Sequence, residues 1–493
     1  MYLADGSSGL GYPYLMNPGI WAFLDKVWPY AIPLFLGVLA LVASGHAVLH
    51  KRDSRSVIGW VGLIWLAPLV GTLLYVLLGI NRIRRRAQVL RGIRSRKPQE
   101  KDPRFDSSEM LGRILPAEAR HLAAFAKLGD ALTGVPVAGG NRVEPLCHGG
   151  QAYPAMLEAI DAAQSSLAFS TYIFSGGPTG QRFIEAFARA VRRKVEVRIL
   201  IDDIGARYSW PSAVSALRQA QVPVARFLPA LLHVKFPYFN LRNHRKILVA
   251  DGKVGFTGGM NIQDMDLHDL HCRIEGPAVR HLQETFAEDW RFATSESLEG
   301  KAWFPEIQPR GDAAVRGIVD GPDDDTDTLR ILTLGALASA RHSVRIATPY
   351  FLPDDALINA LNIAVMRGVT VDILLPAKNN LRMVQWASTA ILWQVLKRGC
   401  RIRLSPPPFD HGKLLVVDHA WTLLGSSNWD PRSFRLNFEF DVECYDPELA
   451  RTLEAAFDAK LAAAKPLTLA EVDGRGLPVK IRDGVARLFT PYL

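Results

Sequence analysis

The sequence predicts an α/β protein: two pseudo-symmetric lobes of mixed sheet flanked by helices, behind an N-terminal transmembrane helical hairpin. Three observations predict it. His244-Arg245-Lys246-Ile247-Leu248-Val249-Ala250-Asp251 and His411-Gly412-Lys413-Leu414-Leu415-Val416-Val417-Asp418 both read H-x-K-x4-D, and each is followed by Gly-x-x-Asn. A strand–helix–strand pattern precedes each copy, and two long uncharged stretches lie near the start of the chain. From His244 to Asn261 and from His411 to Asn428 the interval is the same seventeen positions. A single H-x-K arises readily by chance; a matched pair with matched downstream asparagines is a specific signal.

At 493 residues the chain can hold two or three domains. Its net charge is +9. Residues 82–97 contain eight Lys/Arg and no acid, so most of the excess sits in one stretch. That disfavours a broadly basic nucleic-acid-binding face and favours a local juxtamembrane patch. Cys147, Cys272, Cys400 and Cys444 show no C-x-x-C and no metal-ligand spacing. They predict free thiols, with neither a disulfide framework nor a metal site.

Taken in order, residues 1–27 read as a tail and 28–81 as the hairpin. Residues 29–49 and 57–80 carry no Asp, Glu, Lys or Arg. Each is long enough to cross a hydrocarbon core of about 30 Å. Trp21, Trp28 and Tyr30 flank the first like an interfacial belt. Pro33, Gly37, Pro68 and Gly71 are tolerable inside membrane helices. The apolar run starts too late for a signal peptide, and neither segment has the charged face of a surface helix. The loop carries Lys51, Arg52 and Arg55, but the 82–97 flank is more basic. The larger flank predicts a cytoplasmic catalytic region and the tight loop outside, in a multi-pass membrane protein. It also suits anionic head groups, at about 1 kcal/mol per basic residue near the surface.

Residues 82–140 read as a basic juxtamembrane linker with an amphipathic segment at 116–132. The first lobe covers 141–300, with a strand at 167–174, a helix at 179–193 and a strand at 195–201. The second covers 301–493, with the same elements at 344–351, 354–367 and 369–375. Apolar strand runs alternating with helices favour mixed or parallel sheets with helices outside. Residues 205–243, with Trp210, Phe227, Phe236 and Tyr238, and residues 381–397, with Trp386 and Trp393, are either core or a lipid-contacting rim.

The chemistry follows from the residue types. Along a strand, His and Lys at i and i+2 face the same side, so His244 with Lys246 and His411 with Lys413 can enter one pocket. Lysines and the amides of Asn261 and Asn428 can stabilise charge on a five-coordinate phosphorus. One imidazole can attack phosphorus covalently while the other moves protons. The catalytic motif set thus comprises His244, Lys246, Asp251, His411, Lys413 and Asp418. Within it the aspartates stand apart: seven is an odd offset, and Asp251-Gly252 and Asp418-His419 look like turns, which predicts a structural role. Each histidine needs an orienting carboxylate or carbonyl. Asp269 and Glu439, each downstream of a motif asparagine, are the candidates.

These residues resemble the phospholipase D superfamily, named for paired HKD motifs. More narrowly the chain looks like the two-transmembrane bacterial cardiolipin synthases. The likeness covers Gly79-Ile80-Asn81-Arg82, Thr171-Tyr172-Ile173-Phe174, Gly258-Gly259-Met260-Asn261-Ile262, Arg273-Ile274-Glu275-Gly276-Pro277 and Asn428-Trp429-Asp430-Pro431-Arg432-Ser433. The resemblance implies phosphatidyl transfer through a phosphohistidine without cofactor or metal. His244 is then the nucleophile, His411 the general acid/base, and Lys246, Lys413, Asn261 and Asn428 the phosphate binders. Two phosphatidylglycerols would give cardiolipin and glycerol. The expected partners are anionic phospholipid and the membrane, with no nucleic acid and no obligate protein partner. Alternatives are a phospholipase D-type hydrolase releasing phosphatidate, another phosphatidyltransferase, a nuclease with a basic stacking groove, and a non-catalytic membrane scaffold.

Overall fold

The computed structural model describes residues 18–51, 54–79, 107–208, 212–229, 241–265, 267–322 and 327–490. The basic stretch 82–97 and most of the aromatic stretch 230–240 lie outside the described residues. The chain divides into two compact units, Met1–Arg82 and Ile83–Leu493.

In the first unit the helix Pro18–His50 extends into the expected tail, and its Lys26–His50 portion is long and apolar enough to cross a membrane. The second apolar stretch differs from expectation. It is two helices, Ser54–Leu66 and Pro68–Leu74, continued by a π-helical turn over Tyr75–Gly79. Pro68 has no N–H to extend the first of them, and Ala67 leaves the helical region at φ −142° and ψ 76°. The chain then folds back. The rings of Trp60 and Tyr75 meet at 5.4 Å, whereas fifteen residues of one straight helix would separate them by about 22 Å. Gly71 makes the reversal possible: a Cβ there would lie 2.3 Å from the Leu63 carbonyl oxygen. Ala40, Ala43 and Ala47 of the long helix pack against Ile64 and Tyr75, and His46 Nδ1 lies 2.8 Å from the Tyr75 hydroxyl.

The second unit contains the predicted repeat. The first lobe has β1 (Ala138–His148), β2 (Ser166–Thr171), β3 (Glu196–Asp202), β4 (Val224–Phe227), β5 (Arg242–Asn243), β6 (Ile247–Ala250), β7 (Val254–Gly258) and β8 (Leu267–Glu275). The second has β9 (Ala313–Asp320), β10 (Ser343–Ala347), β11 (Thr370–Pro376), β12 (Arg401–Ser405), β13 (Phe409–Asp410), β14 (Leu414–Val417), β15 (Trp421–Gly425), β16 (Asn437–Tyr445) and β17 (Lys465–Leu467). Pairing gives the order β1-β8-β7-β6-β2-β3-β4 in one sheet and β9-β16-β15-β14-β10-β11-β12 in the other, with β17 added at the latter's edge. Both are mixed sheets, as the alternating strand and helix runs predict.

The lobes join symmetrically. β1 pairs antiparallel with its counterpart β9. β5 of the first lobe runs parallel to the start of β16, and β13 of the second runs parallel to the start of β8. The motif strands β6 and β14 are buried on both faces, which explains their continuous apolar runs. Between the sheets, the helices Val279–Thr294 and Pro447–Ala463 bury Phe286, Trp290, Leu453 and Phe457 in a core shared with β16.

The amphipathic part of the expected linker is built into the second lobe, ahead of the first in sequence. Leu122, Phe125 and Ala126 enter the core that holds Leu332 and Trp421. Their apolar face is buried because Arg316, fully enclosed, ties this helix to the sheet: it pairs with Asp130 and Glu443 and donates to the Ala126 carbonyl at 3.2 Å.

Candidate active site

The two motif histidines sit where the lobes exchange strands. His244 follows β5 and His411 follows β13, the two strands that cross to the other lobe. The cross-pairing continues through their own backbones: His244 N–H donates to the Phe438 carbonyl at 2.9 Å, and His411 N–H donates to the His268 carbonyl at 2.7 Å. Each imidazole is therefore carried by one lobe and held by the other.

The side chains repeat that exchange. His244 Nδ1 lies 3.0 and 3.1 Å from the two oxygens of Glu439, on β16. His411 Nδ1 lies 2.7 Å from Asp269 Oδ2, on β8. Both carboxylates are buried. With Nδ1 donating to a carboxylate, His244 keeps Nε2 for other chemistry, while His411 Nε2 faces Lys413 Nζ. Glu439 also accepts from the Asn437 amide at 3.0 Å and from the Ser426 hydroxyl. Ser426 was not singled out in the sequence; its place in Gly425-Ser426-Ser427-Asn428 is the signal that pointed there.

The lysines approach from the same side as their histidines. Lys246 Nζ donates to the His244 carbonyl at 2.7 Å, and Lys413 Nζ donates to the His411 carbonyl at 2.5 Å. Lys413 Nζ also lies 2.9 and 3.0 Å from the two nitrogens of the His411 ring. Burial pulls Lys246 down to about 7 and Lys413 to about 8, against the pull of the carboxylates. An enclosed cation that has lost solvation gains most from an arriving anion.

The histidines are not equivalent. Burial holds His244 well below its ordinary pKa, and the charges of Lys246, Lys413, His411 and Arg432 add to the effect. His411 is also lowered by burial and Lys413, but Asp269 pulls in the opposite direction. Burial raises Asp269, yet the charges of His411 and Lys413 outweigh it and leave the carboxyl below its usual value. Glu439 is raised by burial. The neutral imidazole is thus favoured most strongly at His244.

The asparagines flank the cluster. The Asn261 side-chain Oδ1 accepts from Ile173 N–H at 3.0 Å, which turns Nδ2 away from that backbone. Asn428 is held by Ser433, whose hydroxyl lies 3.1 Å from Asn428 N and 3.3 Å from Nδ2. A small, half-open cleft beside the second motif is lined by Lys413, Asn428, Ser427, Asp441, Trp429 and Phe434, among others. Burial raises Asp441 to about 7 and Asp430 to about 6. Two tyrosine rings, read from sequence within strand runs, stand edge-on to the histidines, and Phe409 lies tilted against His411 at 5.9 Å. Tyr172 is edge-on to His244 at 5.3 Å, and Tyr350 is edge-on to His411 at 6.4 Å.

The motif aspartates are elsewhere. Asp251 lies at the far end of β6 from His244, in the turn to β7, with φ +52° and Gly252 following at +63°. Its carboxylate accepts main-chain N–H groups of Gln164, Ser165 and Ser166, which begin β2. Asp418 occupies the matching turn at φ +49° and accepts from Arg341, His342 and Ser343, which begin β10. It also lies 2.8 Å from His121 Nε2. The oxygens of both aspartates are engaged with backbone N–H groups at the strand ends remote from the histidines.

The chain is similar to known proteins over most of its length. A family model described as cardiolipin synthase, PLD-like domain, matches residues 156–290 and 334–461, one match in each lobe. The chain is 32% identical over 470 residues to cardiolipin synthase A of Pseudomonas aeruginosa, covering 92% of this chain and 94% of that one. It is 29% identical over 474 residues to the major cardiolipin synthase ClsA of Bacillus subtilis, covering 90% and 95%. Among solved structures, a phosphatidylserine synthase from Haemophilus influenzae superposes with a TM-score of 0.59 at 15% identity, covering 75% of this chain and all of that one. That last likeness is one of fold.

Proposed function

The chain belongs to the cardiolipin synthase, PLD-like family, and on that premise we propose that it is a membrane-associated phosphatidyltransferase that makes cardiolipin and glycerol from two phosphatidylglycerols. The observation that carries this reading is the reciprocal pairing of His244 with Glu439 and His411 with Asp269. It sets each imidazole against a buried carboxylate of the other lobe, beside two buried lysines, with the neutral form favoured most strongly at His244.

In the proposed cycle the phosphodiester enters between Lys246 and Lys413, with the Asn261 and Asn428 amides on its remaining oxygens. Neutral His244 attacks phosphorus through Nε2. The P–O bond to glycerol breaks, and His411 gives its proton to the departing alkoxide. The phosphatidyl group is then held on His244. The free hydroxyl of a second phosphatidylglycerol loses its proton to His411 and attacks phosphorus. The P–N bond breaks, His244 is regenerated, and cardiolipin leaves. Splitting the exchange in two avoids a direct attack of one lipid on another. Glu439 and Asp269 hold the tautomers and support the imidazolium in turn. Exclusion of water by the buried site favours the alcohol acceptor over hydrolysis.

We further propose that the catalytic region is cytoplasmic. The fold-back at Ala67 supports a topology of one crossing helix followed by a re-entrant pair, in place of two full crossings. Helix Ser54–Leu66, at 13 residues, spans about 20 Å, short of a hydrocarbon core. Both basic clusters, Lys51 to Arg55 and 82–97, then share one face of the membrane, which satisfies the preference of basic flanks for the cytoplasm.

The test is purified protein with labelled phosphatidylglycerol in lipid–detergent micelles. Cardiolipin and glycerol are expected in equal amounts, both lost in His244→Ala and His411→Ala. Phosphatidate in place of cardiolipin would make the protein a hydrolase and overturn the reading.

A further inference from the structure

The helix Leu477–Leu488 lies on the second lobe and buries only a narrow face, with Asp483 and Ala486 turned inward. Elsewhere it is apolar where a solvated helix would be polar. Leu477, Ile481, Val485 and Leu488 follow one another at helical spacing and are 70, 57, 49 and 76% exposed, and Phe489 continues the stripe. Its packing partner, the helix Arg382–Thr389, adds exposed Leu381 and Met383 at the same surface. The Arg482 guanidinium stacks over the Trp386 ring at 4.5 Å and joins the two.

Charge gives the occupant. Residues 378–398 and 475–489 hold eight Lys/Arg and a single acid, Asp483. That acid is buried and bonded to Arg475 and Arg482, so this surface shows no acid to solvent. An apolar stripe flanked by cations is the pattern of a helix lying in an anionic lipid interface. A second copy of the chain placed face to face would set these cations against one another.

The surface also leads to the site. Ala486, Val384, Ala387 and Ile391 share a small core with Leu352, and Tyr350 packs against it. Tyr350 is the ring that stands edge-on to His411.

We propose that the face formed by Leu477–Leu488 and residues 381–393 seats in the headgroup–acyl boundary of an anionic bilayer, and that it admits lipid to the His411 side of the site. The second half rests on the phosphatidyl transfer proposed above; the first half does not.

The test uses the full chain in nanodiscs containing phosphatidylglycerol, with Val485→Cys carrying a fluorophore in a Cys147→Ser background. Quenching by acyl-brominated lipid together with protection from aqueous iodide is expected. Iodide quenching without lipid quenching would place the face in water and overturn the proposal. Absence of both would place it against another protein chain, with the same consequence. The variant Ile481→Ser/Leu488→Ser should lower turnover of bilayer phosphatidylglycerol about fivefold. Its turnover of short-chain, monomerically dispersed phosphatidylglycerol should stay within about a factor of two of the parent, because no interface is then needed. Equal loss on both substrates, or no loss on the bilayer, overturns lipid admission. If the unmodified protein turns over neither substrate, the phosphatidyl transfer falls with it, and the quenching alone decides the membrane seat.

Discussion

His244 and Glu439 are 195 residues apart in sequence and meet across the two lobes, with Nδ1 3.0 Å from Oε2. Asp269 and His411 make the reciprocal contact in the opposite direction. Neither lobe alone therefore holds a complete histidine–carboxylate pair. The motif repeat builds one site rather than two.

The pairing predicts how the carboxylates act. Glu439→Gln keeps the shape but replaces the charge that supports the His244 imidazolium. Turnover number should fall by about 10² to 10⁴, with a much smaller change in KM. Asp269→Asn should behave similarly through His411. Steady-state kinetics of both variants, with circular dichroism to verify folding, check this.

The unequal histidines predict where the covalent intermediate forms. His411→Ala, quenched rapidly with phosphate-labelled phosphatidylglycerol, should accumulate label on His244. Mapping of acid-labile label by mass spectrometry reads it. Label on His411 in His244→Ala would reverse the assignment.

The lysines predict the alkaline limb. With Lys246 at about 7 and Lys413 at about 8 in the free protein, both are cationic below those values and lose charge as pH rises through them. Affinity for a phosphodiester anion then weakens, so kcat/KM should fall above pH 7–8. The bound anion raises both values, so the limb in kcat should lie at higher pH. A pH profile in lipid–detergent micelles measures both.

The motif aspartates predict a stability effect. Asp251→Ala and Asp418→Ala each leave three main-chain N–H groups without their acceptor and should cost about 2–4 kcal/mol. Asp418 has a folded pKa below its ordinary value: burial raises it, but the N–H groups and His121 outweigh burial. Its contribution is therefore present above about pH 3.9 and lost as pH falls through the lower folded value. Thermal unfolding should register the loss, while the folded fraction keeps near-parental turnover. Loss of turnover in fully folded protein would return these residues to the chemistry.

The re-entrant pair predicts sidedness. Ser56→Cys and Ser95→Cys should react with a membrane-impermeant maleimide from the same face of sealed vesicles. Labelling from opposite faces would restore two full crossings.

Much of this was legible in the sequence, for reasons that are local. The strand predicted at 195–201 and the helix predicted at 179–193 emerge within a residue of those positions, and the strand predicted at 167–174 emerges as Ser166–Thr171, because burial on both faces leaves apolar runs and the helix leaves a 3.6-residue period. The odd spacing of Asp251 and Asp418, with turn formers beside them, separated them from the pocket. Two long apolar stretches were visible, but not that the second turns back, since that depends on Gly71 meeting the Leu63 carbonyl. Residues 116–132 showed an apolar face with no indication of what covers it; Trp421 and Arg316, some 200 to 300 residues away, do so.

The sequence by itself determined the chemical inventory, two histidines, two lysines, two asparagines and two candidate carboxylates, because residue type and spacing are properties of a short segment. Only the tertiary structure decided that each carboxylate serves the histidine of the other lobe. That choice arises where β5 joins β16 and β13 joins β8, and pairing between distant strands is set by the packing of whole lobes.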